Sequence, residues 1–129
     1  MKREIKFRAW EYRANKMLTW EQLCKCRELG ELLNDDILYS PMQFTGLKDK
    51  NGIEIYESDI VEVYLWYETK TPHKSLVYFT PKGILITHHP AHLNLGHKGG
   101  RSLFDYCLKK NKKHYCKVIG NFYENSELL

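Results

Sequence analysis

Along Glu4–Trp10 the chain alternates, with Ile5, Phe7 and Ala9 on one side and Lys6, Arg8 and Trp10 on the other. A period of two describes a strand with one buried face. Asn15-Lys16 supplies a turn, after which Met17–Trp20 can pair back as a hairpin. Between Glu21 and Leu33 the residues Leu23, Leu29, Leu32 and Leu33 follow helical spacing loosely, which predicts a short helix broken by Asn34-Asp35-Asp36. Ile37–Tyr39 is expected as a brief extended piece ended by Pro41.

The middle of the chain is patterned more firmly. Lys48-Asp49-Lys50-Asn51-Gly52 holds an Asn-Gly pair between apolar flanks, a strong short-range hairpin signal. Ile53–Tyr56, a tight turn at Glu57-Ser58-Asp59 and the strand Ile60–Tyr67 follow. In that strand Val61, Val63, Leu65 and Tyr67 make one face, and Glu62, Tyr64, Trp66 and Glu68 the other. A strand with apolar surface on both sides is either central in a sheet or part of a subunit contact, which makes Tyr64 and Trp66 candidate interface residues.

Thr69–Ser75, with Pro72, reads as a loop. Leu76–Thr80 and Gly83–Thr87 form a second hairpin around Pro81-Lys82-Gly83. His88–Gly100 is a second loop, Ser102–Lys110 a short helix capped by Ser102, and Tyr115–Phe122 a final strand. Short, closely spaced strands point to a mainly β domain, a barrel or sandwich with at most short helices.

Composition narrows the classes. At 129 residues, 43% hydrophobic and 28% charged, the chain suits one soluble globular domain over residues 1–129 and excludes a disordered or fibrous protein. No run approaches the ~18 apolar residues of a membrane span. The charged start, Met1-Lys2-Arg3-Glu4-Ile5-Lys6, lacks the apolar stretch of a secretory signal, so a cytoplasmic location is expected. Charge is uneven: residues 1–68 carry 10 Lys/Arg against 13 Asp/Glu, and residues 69–129 carry 10 against 3. The basic excess gathers at Lys98, Arg101, Lys109, Lys110, Lys112 and Lys113, which are candidate contacts for weak, salt-sensitive nucleic-acid binding. A solvated surface is the plainer reading of the same lysines.

Signals for catalysis are thin. His88, His89, His92 and His97 fall within ten residues, but Pro90 intervenes and no H-E-x-x-H pattern is present. Cys24-x-Cys26, with Cys107 and Cys116 far along the chain, lacks the C-x-x-C pair of a zinc ribbon. There is no G-x-S-x-G elbow, and Gly99-Gly100-Arg101 has neither P-loop nor Rossmann spacing. Asp35-Asp36 and Glu57/Asp59 lie in predicted turns, where carboxylates commonly bond the backbone. The sequence therefore predicts no enzyme, no cofactor and no metal site.

Three segments, taken together, resemble the YopX family of phage and prophage proteins. They are Ile5-Lys6-Phe7-Arg8-Ala9-Trp10; Met42-Gln43-Phe44-Thr45-Gly46-Leu47-Lys48-Asp49-Lys50-Asn51-Gly52 with Glu54-Ile55-Tyr56-Glu57 and Asp59-Ile60-Val61; and Val118–Leu129. Two positions depart from the family pattern: Ser58 stands where Gly is usual, and Ser126 where Pro is common. The resemblance implies a small SH3-like barrel with additional strands. It carries over no catalytic residue, because the family has no established activity. Within this sequence, Thr45-Gly46 and Asn51-Gly52 are expected to set turns, and Asp59 to bond the backbone entering a strand. The expected role is a non-enzymatic accessory protein that binds a host or phage protein or assembles with itself. Nucleic-acid binding through the basic half is the alternative.

Overall fold

The computed structural model describes residues 4–25, 29–35, 37–65, 68–81, 83–87, 101–102 and 116–129. The opening strand β1 (Phe7–Glu11) turns through Asn15, whose φ of 50° Asn tolerates, into β2 (Lys16–Leu18). In place of one short helix there are two, α1 (Trp20–Cys24) and α2 (Leu29–Asn34). Thr19 starts the first with a capping box, accepting from the Gln22 amide while the Gln22 side chain accepts from the Thr19 amide. Asp35 ends the second by accepting from the Ile37 and Leu38 amides.

Strand β3 (Tyr39–Lys48) is ten residues long and runs straight through Pro41, which was expected to end a short extended piece. Pro41 sits opposite Ala9 of β1, while β4 (Glu54–Tyr56) pairs with β3 only from Phe44 onward. The proline thus occupies a stretch of β3 paired on one edge only, where its missing N–H costs little. Thr45-Gly46 likewise makes no turn. The β3–β4 register shifts between Phe44 and Lys48, with Gly46 at φ +81°. Thr45 Oγ1 holds this irregularity, donating to the Ile55 carbonyl at 2.6 Å and accepting from the Leu47 amide at 3.1 Å. The Asn-Gly hairpin forms as expected, although the left-handed position is taken by Gly52 at φ +80° and not shared with Asn51.

The first sheet has the order β2-β1-β3-β4. The chain then leaves it at Glu57-Ser58 and enters a second sheet through β5 (Asp59–Leu65). β6 (Glu68–Thr80), β7 (Gly83–Thr87), β8 (Arg101–Ser102) and β9 (Cys116–Asn121) complete that sheet in the order β8-β7-β6-β5-β9. The expected loop at Thr69–Ser75 is therefore strand. Pro72 falls where the β5–β6 register shifts, between the Val63–His73 and Leu65–Glu68 pairs, and β7 begins pairing only at Leu76. Ser102 lies in β8 opposite Leu85. His88–Gly100 and the rest of the expected Ser102–Lys110 helix lie outside the described residues.

The result is a small, mainly β, barrel-like fold with two short α-helices among the described residues. Two apolar clusters hold it. Ile55 of the first sheet packs with Val61, Val63, Val77, Ile86 and Cys116 of the second, flanked by Leu47, Ile84 and Val118. On the other side of β1, Ala9 packs with Leu23 and Leu32 of the helices, flanked by Phe7, Trp20 and Tyr39. β1 was expected to bury one face, yet Trp10 on the opposite face is also buried. β5 proves to be a central strand between β6 and β9, and its Ile60, Val61 and Val63 are buried.

Ser58 is the pivot between the sheets. Its N–H donates to the Val77 carbonyl and its carbonyl accepts from the Phe122 amide, each at 2.9 Å, with φ held at +69°. That conformation disfavours a residue with a Cβ. Ser58→Gly should therefore stabilise the protein by about 0.5–1 kcal/mol after the added chain entropy of glycine is offset. Urea unfolding should show a higher midpoint at unchanged slope.

Candidate functional site

The three segments that carry the family resemblance converge where the two sheets meet. At the centre lies Asp59, almost wholly buried. Its Oδ2 accepts from the Tyr56 amide at 2.8 Å, the strand-entry bond expected from sequence, and its Oδ1 accepts from Arg8 Nη2 at 2.6 Å. Arg8 reaches this point because the period-two pattern of β1 turns it away from the helices. Its guanidinium also lies 4.7 Å from the centre of the Tyr56 ring. Arg8 Nη2 approaches the Glu57 carbonyl at 3.5 Å, and Arg8 Nε is buried without a partner among the described residues.

Alongside, Lys6 bonds Glu54, is 3.2 Å from Glu4, and sits 4.7 Å above the Phe44 ring. The bond to Glu54 raises the Lys6 pKa, with burial acting against it. Burial pushes the Asp59 carboxyl up, and the Arg8 charge and the Tyr56 amide pull against that shift. Burial likewise raises Glu57, partly offset by the Gln43 amide, which donates to Glu57 Oε1 at 3.4 Å.

Two further polar latches close the junction. Asp49 is buried in the β3–β4 hairpin, where its Oδ1 accepts from the Asn51 and Ile53 amides. Its Oδ2 accepts from the Val118 amide at 3.0 Å, while the Lys50 amide donates to the Cys116 carbonyl, so the hairpin is tied to β9. After β9, Asn121 Oδ1 accepts from the Tyr123 and Glu124 amides, and Asn125 Oδ1 accepts from the Asn121 amide. A Cβ at Gly120 would stand 2.5 Å from Asn125 Oδ1, so glycine is required there by close approach.

Outside this polar centre lies an aromatic surface. Tyr123 stacks on Trp10 at 5.7 Å and 19°, and its hydroxyl bonds Ser40. Tyr12 meets Tyr123 edge-on at 6.1 Å, and Phe122 does so at 5.5 Å. Trp10 is buried and Tyr123 half-buried, but Tyr12 is 45% and Phe122 38% exposed. Leu38, whose carbonyl accepts from the Tyr12 amide, follows Ile37, which is 85% exposed. Burial raises the Tyr123 phenol.

The chain matches the family model described as YopX protein over residues 6–129. It belongs to the YopX family. It is also similar to a solved structure, the crystal structure of protein EF1440 from Enterococcus faecalis, with a TM-score of 0.63. The two share 22% identity over 99% of each chain, a likeness that concerns the fold. No curated protein matches the chain. The motifs by which this YopX chain resembles its family are thus largely the residues that join its two sheets.

The residues singled out from sequence are scattered. Tyr64 lies on β5 and Arg101 on β8, their side chains not described. Trp66, Lys98, Lys109, Lys110, Lys112 and Lys113 lie outside the described residues, as do His88, His89, His92 and His97. Among the described residues, no group of three or more His, Cys, Asp or Glu is placed to hold a metal. The Tyr12–Phe122–Tyr123 surface was not foreseen. Its signal was present in Trp10 and Phe122-Tyr123 at the two ends of the family pattern, but only folding brings 10 and 123 together.

Removing Arg8 strands a buried carboxylate. Arg8→Ala should cost about 3–5 kcal/mol, read as a lowered urea midpoint. Glu57 gives a test of pH dependence. With its folded pKa raised, the folded state holds the Glu57 proton more tightly than the unfolded chain. Its contribution is full below the unfolded carboxyl range and is lost as pH rises through the raised value. Glu57→Gln should therefore raise the thermal midpoint at pH 7 relative to the parent and bring no gain at pH 4.

Proposed function

We propose that this YopX protein is a non-enzymatic accessory protein of a phage or prophage, acting in the cytoplasm by binding another protein. Its contact surface is the aromatic patch of Tyr12, Phe122 and Tyr123 with Ile37 beside it. The supporting observation is the contrast between the two layers of the junction. Apart from Arg8 Nε, the polar groups named at the junction are engaged in hydrogen bonds and ion pairs within it, whereas aromatic rings are left at the surface. Large aromatics exposed in a cluster on a rigid base are the residues that carry binding energy at protein interfaces. The patch rests on β1 and β9, and the stacking of Trp10 under Tyr123 fixes its rings before any partner arrives, which lowers the entropic cost of binding.

Nucleic-acid binding is the second reading, favoured by a row across the second sheet. Lys74 of β6 and Lys117 of β9 both pair in register with Glu62 of β5, so basic residues flank a single acid on one sheet face. In the sequence, Lys98, Arg101, Lys109, Lys110, Lys112 and Lys113 add further positive charge.

One comparison separates the readings. Wild type, a Tyr12→Ser/Phe122→Ser variant, and a variant with Lys109, Lys110, Lys112 and Lys113 changed to Glu are each tested for a cross-linked partner in producing cells. The same three are tested by fluorescence anisotropy with DNA and RNA at low and high salt. A protein cross-link lost only in the aromatic variant is the expected result. Salt-sensitive binding lost only in the lysine variant would replace the first reading with the second.

A further inference from the structure

The Asn51-Gly52 pair that closes the β3–β4 hairpin brings a labile side-chain amide next to an unhindered peptide nitrogen. The Gly52 nitrogen, once it has lost its proton to solvent, can attack the Asn51 side-chain carbonyl carbon. A C–N bond forms, the bond to Nδ2 breaks, and the amide group leaves as ammonia with a proton taken from water. A second water then opens the cyclic imide at one of its two carbonyls and leaves aspartate or isoaspartate. Access is free: both residues are exposed, and a Cβ at Gly52 would meet nothing within 4 Å. The Asn51 side chain makes no hydrogen bond among the described residues.

The same hairpin holds the reaction back. The Gly52 N–H, whose proton must be lost before attack, donates to the Asp49 carbonyl at 3.0 Å. The Asn51 and Ile53 amides donate to Asp49 Oδ1 at 2.8 and 2.9 Å, so the backbone on both sides of Gly52 is held against the rotation that attack requires. Asp49 is buried, and its Oδ2 is anchored to the Val118 amide of β9. We propose that Asn51 is a deamidation site guarded by Asp49, reactive only while the hairpin is open. The hydrolysis is irreversible, and isoaspartate adds a methylene to a loop whose bonds span it closely. A chain that opens and reacts therefore cannot rebuild the Asp49 clamp, and its tie to β9 is weakened. Deamidation at Asn51 becomes a lasting record of local opening where the two sheets meet.

The test holds wild type and Asp49→Ala in mildly alkaline buffer, native or unfolded in urea, and samples them over time. Peptide mass spectrometry reads the conversion of the Asn51 amide to acid and separates aspartate from isoaspartate. Native wild type should convert roughly tenfold more slowly than the unfolded chain, because the clamp must open first. Asp49→Ala should remove most of that difference while circular dichroism still reports a folded chain. If that variant unfolds, wild type decides alone: in urea below its unfolding transition the rate should stay nearly flat, since only the hairpin opens. Converted chains, separated by ion exchange, should show a lower urea midpoint than unconverted ones. A native rate equal to the unfolded rate would overturn the guard, as would a folded Asp49→Ala that converts as slowly as wild type. A wild-type rate that follows the globally unfolded fraction, or an unchanged midpoint after conversion, would overturn the link to local opening at the junction.

Discussion

The fold depends on a buried carboxylate that serves two sheets at once. Asp59 opens β5, the central strand of the second sheet, and still accepts the amide of Tyr56 from the end of the first. A carboxylate taken out of water is tolerable only if its lone pairs are met and its charge is opposed. Arg8 provides the opposing charge, and it does so from β1, which otherwise contacts the second sheet little. The pairing therefore determines where the first sheet must stand relative to the second. Replacing it with an apolar pair would leave the Tyr56 amide without its acceptor, so the ion pair and the strand entry cannot be exchanged separately.

Around this centre the polar latches work by the same logic. Asp49 and Asn121 each satisfy backbone amides that strand pairing leaves open, Asp49 at the hairpin and along the edge of β9, Asn121 where the chain leaves that strand. These bonds occupy two backbone groups on the outer edge of β9, which otherwise invite pairing with another chain. The apolar clusters supply most of the favourable burial, but they are not directional. The latches select one arrangement of the two sheets among those that would bury a similar area.

The local half of this design was legible in the sequence. Alternation identified β1 and β5, Asn51-Gly52 identified the hairpin, and the resemblance to the family pointed to Asp59 as a backbone-bonding residue. What failed was reading proline as punctuation. Pro41 and Pro72 both lie inside strands, because each sits where one edge of its strand is unpaired or out of register. Strand pairing is a property of the neighbour, and a linear pattern does not record which neighbour is missing. The aromatic surface was illegible for a related reason: Tyr12 and Tyr123 are unremarkable alone and meet only across the whole length of the chain.

That meeting bears on how the protein is made. Trp10 leaves the ribosome well before Tyr123, which covers it. β5, which begins at Asp59, likewise waits for β9, which begins at Cys116. Until then Ile60, Val61 and Val63 stand next to an unpaired strand edge, the condition under which growing chains associate wrongly. A chain that still lacks β9 therefore keeps one edge of β5 open.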